Sequence, residues 1–269
     1  MNVVESIGVV GGGVVGRATA RTYVEFTEVR VWDRIPERAT HALQDVARCD
    51  LVFVCLPTPS GKDGLLDVSA LRGFFESLVN LPGVSENIVI KSTVPVGTTA
   101  ILARDYRLSI CHSPEFLTER CALTDALIPS RNVLGVPNSQ LDLPLAALVY
   151  QERFPGVPLH VVSSDASEAL KLFQNAYFAA KVSLFNEFYS YCLSERIDWQ
   201  TVRGALLADG RIAHSHTQVP GPDGQRGWGG NCLPKDLKCL IRQMEEAGES
   251  PVVLSAVVER NYSYDRREE

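Results

Sequence analysis

Cys232 stands between a glycine run and a Leu-Pro pair, in Gly227-Trp228-Gly229-Gly230-Asn231-Cys232-Leu233-Pro234-Lys235-Asp236. Proline suits the first residue of a helix, because its missing N–H is one that would have no intrahelical partner there. That spacing puts the sulfur at a helix N-terminus, where aligned peptide dipoles favour the thiolate, the nucleophilic form. Asp236 follows four residues later, one turn on and on the same face, within reach for proton transfer. The glycines at 227, 229 and 230 let backbone or a bound molecule approach closely. The same residues also fit a glycine-bearing loop with a buried structural cysteine, and the stretch alone leaves both readings open.

A second chemistry is written near the start. An apolar run, Ile7, Val9 and Val10, ends at Gly11-Gly12-Gly13-Val14-Val15-Gly16, which opens a helical stretch through Tyr23. This is G-x-G-x-x-G in a strand–turn–helix context: Gly11 for the tight turn, Gly13 for the approach of a pyrophosphate, Gly16 for close helix–strand packing. A second strand, Val29 to Trp32, ends at Asp33, twenty residues past Gly13. A carboxylate there suits the ribose hydroxyls of NAD and repels a 2′-phosphate. The adjacent Arg34 leaves NADP open.

The elements that must carry these groups follow from periodicity. Leu51–Cys55, Ile88–Ile90, Leu108–Cys111, Asn132–Val136 and Leu159–Val162 read as strands, several apolar throughout as buried parallel strands are. Helical stripes lie between them, at Val68, Leu71, Phe75 and Leu78 and in a Leu-rich stretch near 141–150. Alternation of this kind predicts a doubly wound parallel sheet of the Rossmann type over 1–163, with ligands beyond the carboxyl ends of the strands. Pro57-Thr58, Ser92-Thr93 and Glu115–Glu119 all follow such ends.

From Leu159 to Arg203 there is neither glycine nor proline. Ala166, Ala169, Phe173, Ala176, Ala180, Leu184, Phe188 and Tyr191 keep near-3.6 spacing, which predicts one long helix over 165–196 with Ser164 or Asp165 as N-cap. The chain changes character here, so 164–269 is expected to be an all-helical domain carrying Cys232. Lys171 and Asn175 lie beside the apolar stripe and, on spacing alone, read as a solvated flank. Further helices are expected from Asp198 to about Ala208, from about 233 to Ala247, and from Val252 to about Tyr264. His214 and His216 lack a carboxylate or cysteine at ligand spacing, so no metal is expected.

Composition narrows the classes. A net charge of -6 argues against nucleic acid and anionic membrane as partners. Seven cysteines without a CxxC pair fit reduced thiols of a cytoplasmic protein. The chain enters a strand almost at once and contains no apolar run of membrane-spanning length.

Seven segments together resemble the UDP-glucose/GDP-mannose dehydrogenase family: Val9–Gly16, Val54–Pro59, Lys91–Gly97, Ser113–Glu119, Glu168–Asn175 with Asn186-Glu187, Asp209–Ile212, and Gly227–Asp236. The resemblance implies NAD-dependent, four-electron oxidation of a primary alcohol, C6 of a nucleotide sugar, to a carboxylate. A thiol captures the intermediate aldehyde as a thiohemiacetal, a second hydride leaves, and water hydrolyses the thioester. It implies Cys232 as nucleophile, Asp236 for proton transfer, Lys171 and Asn175 for the oxyanion, and Thr93, Glu115 and Glu119 around the water and nicotinamide. The implied cofactor contacts are Gly11, Gly13, Val14, Val15, Gly16, Asp33, Arg34, Pro57, Thr58, Thr93, Glu119 and Lys235. The implied substrate contacts are Glu115, Phe116, Leu117, Lys171, Asn175, Gly229 and Arg211, the last acting across a homodimer interface.

Two departures bear on substrate. Members usually carry a third, C-terminal α/β domain gripping the nucleotide diphosphate, whereas this chain stops at Glu269 and so resembles a short form. The loop Val219–Arg226 is longer than the family's compact glycine-rich loop. Reaction type is therefore expected to transfer better than substrate, and another primary alcohol bearing phosphate or a nucleoside stays open. The competing expectations are a two-electron β-hydroxyacid or 6-phosphogluconate-type dehydrogenase and a non-catalytic NAD-binding relative.

Overall fold

The computed structural model describes residues 3–137 and 144–266. The chain divides into two compact units, one of Met1–Pro59 with Leu66–Lys171, the other of Ser60–Leu65 with Leu172–Glu269.

In the first unit the apolar runs pair into a seven-stranded sheet. Its strands are β1 (Ser6–Val10), β2 (Glu28–Trp32), β3 (Leu51–Val54), β4 (Asn87–Ile90), β5 (Ser109–His112), β6 (Asn132–Val136) and β7 (Leu159–Ser163), in the order β2-β1-β3-β4-β5-β6-β7. Alternate side chains go to opposite faces. Val9 and Phe53 join a core with Tyr23 and Tyr150. Val10, Val52 and Val54 join another with Leu71, Phe75, Ile88 and Ile90. Helices supply the outer layers: α1 (Val14–Tyr23), α2 (Leu43–Ala47), α3 (Ser69–Leu78), α4 (Thr98–Tyr106), α5 (Ala122–Leu127) and α6 (Leu145–Arg153).

The first five strands are parallel, as expected. The parallel expectation fails at one seam: β5 meets β6 antiparallel, through His112 and Gly135, and β7 runs parallel to β6. The link between β5 and β6 explains it. Residues 113–118 contain no helix, and α5 has six residues. Such a helix rises only about 9 Å, too little to return the chain to the opposite edge of the sheet. The Leu-rich helix expected near 141–150 is found as α6, starting after Pro144; residues 141–143 lie outside those described.

The long helix is present as α7 (Ser164–Ser194). It starts one residue before the expected 165, and the hydroxyl that accepts the Ala166 N–H is Ser163's, at 3.2 Å, because β7 runs directly into the helix. It stops before Arg196, whose φ of 56° is left-handed. Its covered face is not the one the stripe suggested. Leu172, Ala176, Ala179, Phe185 and Cys192 are buried, while Phe173, Tyr177, Leu184, Phe188 and Tyr191 are exposed. Lys171 and Asn175, 5% and 6% exposed, lie on the covered side, so the solvated-flank reading is wrong.

In the second unit α8 (Trp199–Leu207) is capped by the Asp198 carboxylate, which accepts from the Gln200 and Thr201 N–H groups. Trp199 packs with Phe185, Cys192 and Val219. Helix α9 (Leu233–Glu246) has Cys232 at its N-cap, and Pro234 is its second residue rather than its first. Helix α10 (Val252–Arg260) ends short of the expected Tyr264 and continues as one wide turn, Asn261–Asp265. Among the described residues no helix is long and apolar enough to cross a membrane.

Candidate active site

The three glycines of the first motif take three distinct places. Gly11 has φ +97°, and a Cβ there would sit 2.5 Å from the Cys55 carbonyl oxygen. A Cβ on Gly16 would overlap the Gly11 carbonyl. Around Gly13 a Cβ would meet nothing within 4 Å. Gly13 is also the N-cap of α1 and provides no side-chain cap, so the first-turn N–H groups, with Val14 and Val15 behind them, suit an anion. Gly12 has no place in the G-x-G-x-x-G pattern, yet its N–H donates to Asp33 Oδ2 at 2.6 Å and a Cβ would strike the Arg38 backbone. Asp33 Oδ1 accepts from Ile35 at 2.8 Å. Each oxygen keeps a second lone pair for ribose hydroxyls. Arg34 is exposed.

The strand-end loops are stitched to each other. The Thr58 hydroxyl, next to Pro57, donates to the Thr93 carbonyl at 2.6 Å, and the Ser92 hydroxyl donates to the Leu56 carbonyl at 2.6 Å. Beyond Thr93 the chain turns at Gly97, φ +94°, into α4. Glu168 of α7, fully buried, accepts from the Gly97 N–H at 2.6 Å, the Thr99 N–H at 2.7 Å and the Thr99 hydroxyl at 2.6 Å. Burial raises its pKa to about 7 against the pull of those donors. In the sequence Glu168 lies within the Glu168–Asn175 segment and has no assigned role. Its position three residues before Lys171 on one helix was the available signal, since a buried carboxylate requires donors.

His112 at the end of β5 is fully buried. Its Nε2 faces the Ser92 carbonyl at 3.3 Å and its Nδ1 the Ser167 hydroxyl at 2.9 Å. Burial holds its pKa down to about 3, and the Lys91 and Lys171 ammonium groups add to that. The neutral ring donates through Nε2, because a carbonyl only accepts.

Glu115 joins two things at once. Oε1 pairs with Lys171 Nζ at 2.9 Å, and Oε2 accepts the Leu117 N–H at 2.6 Å. Between them the Phe116 ring lies under the Arg131 guanidinium at 4.3 Å and the Lys171 ammonium at 5.9 Å. A cavity of about 360 Å³ borders this segment. Glu119 begins a single turn, Glu119–Cys121, and its side chain lies outside what is described.

In the second unit Asn175, one turn beyond Lys171 on α7, donates to Asp236 Oδ2 at 2.5 Å. Lys235 Nζ pairs with Asp236 Oδ1 at 2.6 Å. Asp236 is fully buried and Cys232 is exposed. Both oxygens of Asp236 are thus engaged one helical turn from the thiol, and Lys235 is committed to that carboxylate. Gly229 lies against the Arg266 guanidinium. Arg211, its side chain 89% exposed, is held by Asp209 through Nε at 2.9 Å and Nη2 at 2.5 Å. His216 stacks on Phe178 at 4.0 Å, and among the described residues no three His, Cys, Asp or Glu side chains converge as a metal site.

Residues 33–153 match the NAD binding domain of the UDP-glucose/GDP-mannose dehydrogenase family, and residues 165–263 match its central domain. A UDP-glucose 6-dehydrogenase of Campylobacter jejuni is 33% identical over 213 residues, covering 78% of this chain and 52% of the relative. One from Pseudomonas aeruginosa is 29% identical over 296 residues, covering 94% and 64%. The chain therefore spans between half and two thirds of the length of these relatives. In fold it is similar to a UDP-glucose dehydrogenase from the hyperthermophilic archaeon Pyrobaculum islandicum, with a TM-score of 0.83 at 24% identity, covering 97% of this chain and 68% of that one.

Proposed function

The chain belongs to the UDP-glucose/GDP-mannose dehydrogenase family, and from that premise we propose that it oxidises the C6 alcohol of a nucleotide sugar to a carboxylate in two NAD-dependent steps. The observation that carries this reading is the arrangement on α7 and α9. Lys171 and Asn175 are buried on successive turns, Asp236 binds Asn175, and an exposed thiol stands at the same helix N-terminus as Asp236.

The residues present fit NAD. The open space at Gly13, the uncapped start of α1 and the fixed Asp33 carboxylate suit a pyrophosphate and an unphosphorylated ribose. When bound, NAD supplies the hydride acceptor for each oxidation. The side chains do the rest. Glu115 pairs with the Lys171 ammonium, and Lys171 and the Asn175 amide are the groups that stabilise an oxyanion in this reading. Cys232 attacks the aldehyde carbon to give a thiohemiacetal, whose oxidation leaves a thioester. Asp236 moves protons during capture and hydrolysis, while Thr93 and Glu119 hold the hydrolytic water.

The protein acts as a homodimer in this reading. Phe173, Tyr177, Leu184, Phe188 and Tyr191 form an exposed apolar face along α7 that suits a second copy, and the exposed Arg211, paired with Asp209, is the residue that reaches the partner's substrate in this reading. Among the described residues no cysteine is in a disulfide, which suits a cytoplasmic setting.

The test is to incubate the protein and NAD with a panel of nucleotide sugars, nucleosides and phosphorylated primary alcohols, counting NADH and identifying the product by mass. Two NADH per carboxylate are expected. One NADH per substrate, or none with the whole panel, sinks the proposal.

A further inference from the structure

We propose that Asn261 is a positioning residue for the loop that presents Cys232, a role that rests on the reading of Cys232 as nucleophile. The loop cannot hold itself in place. Residues 227–231 include three glycines, two of them, Gly227 at φ +67° and Gly230 at φ +78°, in the left-handed region. Glycine loses more backbone freedom on ordering than any other residue, so such a segment needs contacts from outside.

Those contacts come from α7 and from the turn after α10. Asn261, fully buried, accepts the Trp228 N–H through Oδ1 at 2.8 Å and donates Nδ2–H to the Trp228 carbonyl at 3.0 Å. Its side-chain amide pairs with one residue's backbone as a neighbouring strand would. Asn186 Oδ1 accepts the Gly227 N–H at 3.1 Å, and the Trp228 indole donates to the Ser183 hydroxyl at 3.0 Å. Two crossed ion pairs close the same junction, Arg226 with Asp265 at 2.7 Å and Arg266 with Asp223 at 2.8 Å.

Gly227 is fitted to this clamp, since a Cβ there would run into Asn261 Oδ1. Downstream, α9 begins immediately after Cys232. Only Gly229, Gly230 and Asn231 separate the clamped Trp228 from the thiol, so the clamp sets where the sulfur stands. An aspartate could not replace the asparagine. It would accept from the Trp228 N–H but turn a second acceptor toward the Trp228 carbonyl.

The experiment uses the full chain and two variants that attack the contact from opposite sides, Asn261→Asp and Gly227→Ala. The first readout is the rate of iodoacetamide labelling of Cys232 relative to Cys121, which is exposed in the other unit and serves as internal standard. The second is NADH formation, separated into kcat and the KM for NAD. Both variants are expected to shift the Cys232-to-Cys121 ratio several-fold. Both are expected to lower kcat by roughly 10²-fold, the cost of displacing a reacting group by about 1 Å, with the KM for NAD little changed. An unchanged ratio in either variant that remains folded, judged by circular dichroism, overturns the proposal. The labelling ratio reads the loop without turnover. A shifted ratio in a protein whose wild type makes no NADH therefore supports the clamp and counts against the dehydrogenase reading.

Discussion

In the first unit the carboxylates near the strand ends accept chiefly from backbone, although Glu115 also pairs with the Lys171 ammonium. Asp33 accepts from Gly12 and Ile35, Glu115 from Leu117, and Glu168 from Gly97 and Thr99. In the second unit, the surface cap Asp198 aside, the carboxylates that matter bind side chains. Asp236 takes Asn175 and Lys235, and Asp265 takes Arg226 and Arg260. The difference follows from the elements. Loops at strand ends leave peptide N–H groups that need acceptors, and a carboxylate there fixes a binding surface made of backbone. Helices satisfy their own interior N–H groups, so a carboxylate between helices is left to order cations and amides. The carboxylates of the first unit chiefly fix backbone, and those of the second order side chains.

The largest expected effect tests that division. Cys232→Ser should lower carboxylate production by several orders of magnitude while NAD affinity, measured by fluorescence titration, stays at the wild-type value. Full acid production by this variant would erase the proposed contrast between the units.

Next comes stability. Asp236→Ala leaves the buried Asn175 amide and the part-buried Lys235 ammonium without their shared acceptor. Removing one partner of such a pair costs about 3–5 kcal/mol. A urea midpoint shifted by much less would mean that Asp236 binds these side chains no more firmly than a surface carboxylate would.

Titration tests the buried groups of the first unit at a slightly smaller scale. Glu168 has a folded pKa of about 7 against an ordinary 4.5, so the native state binds more protons between those values. Its contribution is full below pH 4.5 and is lost as the pH rises through 7, about 3 kcal/mol over the whole range. His112, held to about 3 from an ordinary 6.5, works in the opposite sense: stability is lost as the pH falls from 6.5 toward 3. Glu168→Gln should flatten the loss between pH 5 and 8 and leave the acid limb. Urea midpoints measured across pH 3–9 for both proteins would show whether a backbone-binding carboxylate sets this dependence.

The strands and the glycine loop were legible because both rest on local rules. Apolar runs such as Leu51–Val54 are buried on two faces, Gly11 and Gly16 each answer a separate steric demand, and Gly13 leaves open space. The reversal at β6 was not legible, since strand direction depends on how far the preceding link carries the chain. Nor was the covered face of α7. Its 3.6-residue period reports that the helix is two-sided, and Phe173 to Tyr191 were the more conspicuous side. Lys171 and Asn175 were assigned through resemblance alone, because spacing cannot distinguish a solvated polar residue from one buried against a partner. Glu168 and Asn261 escaped notice for a related reason: their partners lie 69 and 33 residues away.

The smallest expected change is at Gly13, and it tests whether the open space there belongs to a ligand. Gly13 has φ −71° and ψ −163°, a conformation alanine adopts without strain. Restricting the unfolded chain favours the alanine by about 0.4–1 kcal/mol, while alanine is a poorer N-cap than glycine by a similar amount. The two offset, so Gly13→Ala should leave the urea midpoint nearly where it was. Gly16→Ala provides the contrast, because its methyl overlaps the Gly11 carbonyl and the strand–helix junction must open. That overpacking costs about 1–3 kcal/mol. If the loop is a cofactor cradle, Gly13→Ala weakens NAD binding with almost no loss of stability. A Gly13→Ala protein that binds NAD as well as wild type would leave the Gly13 space without a ligand, and the first unit's claim to hold the cofactor would then rest on Asp33.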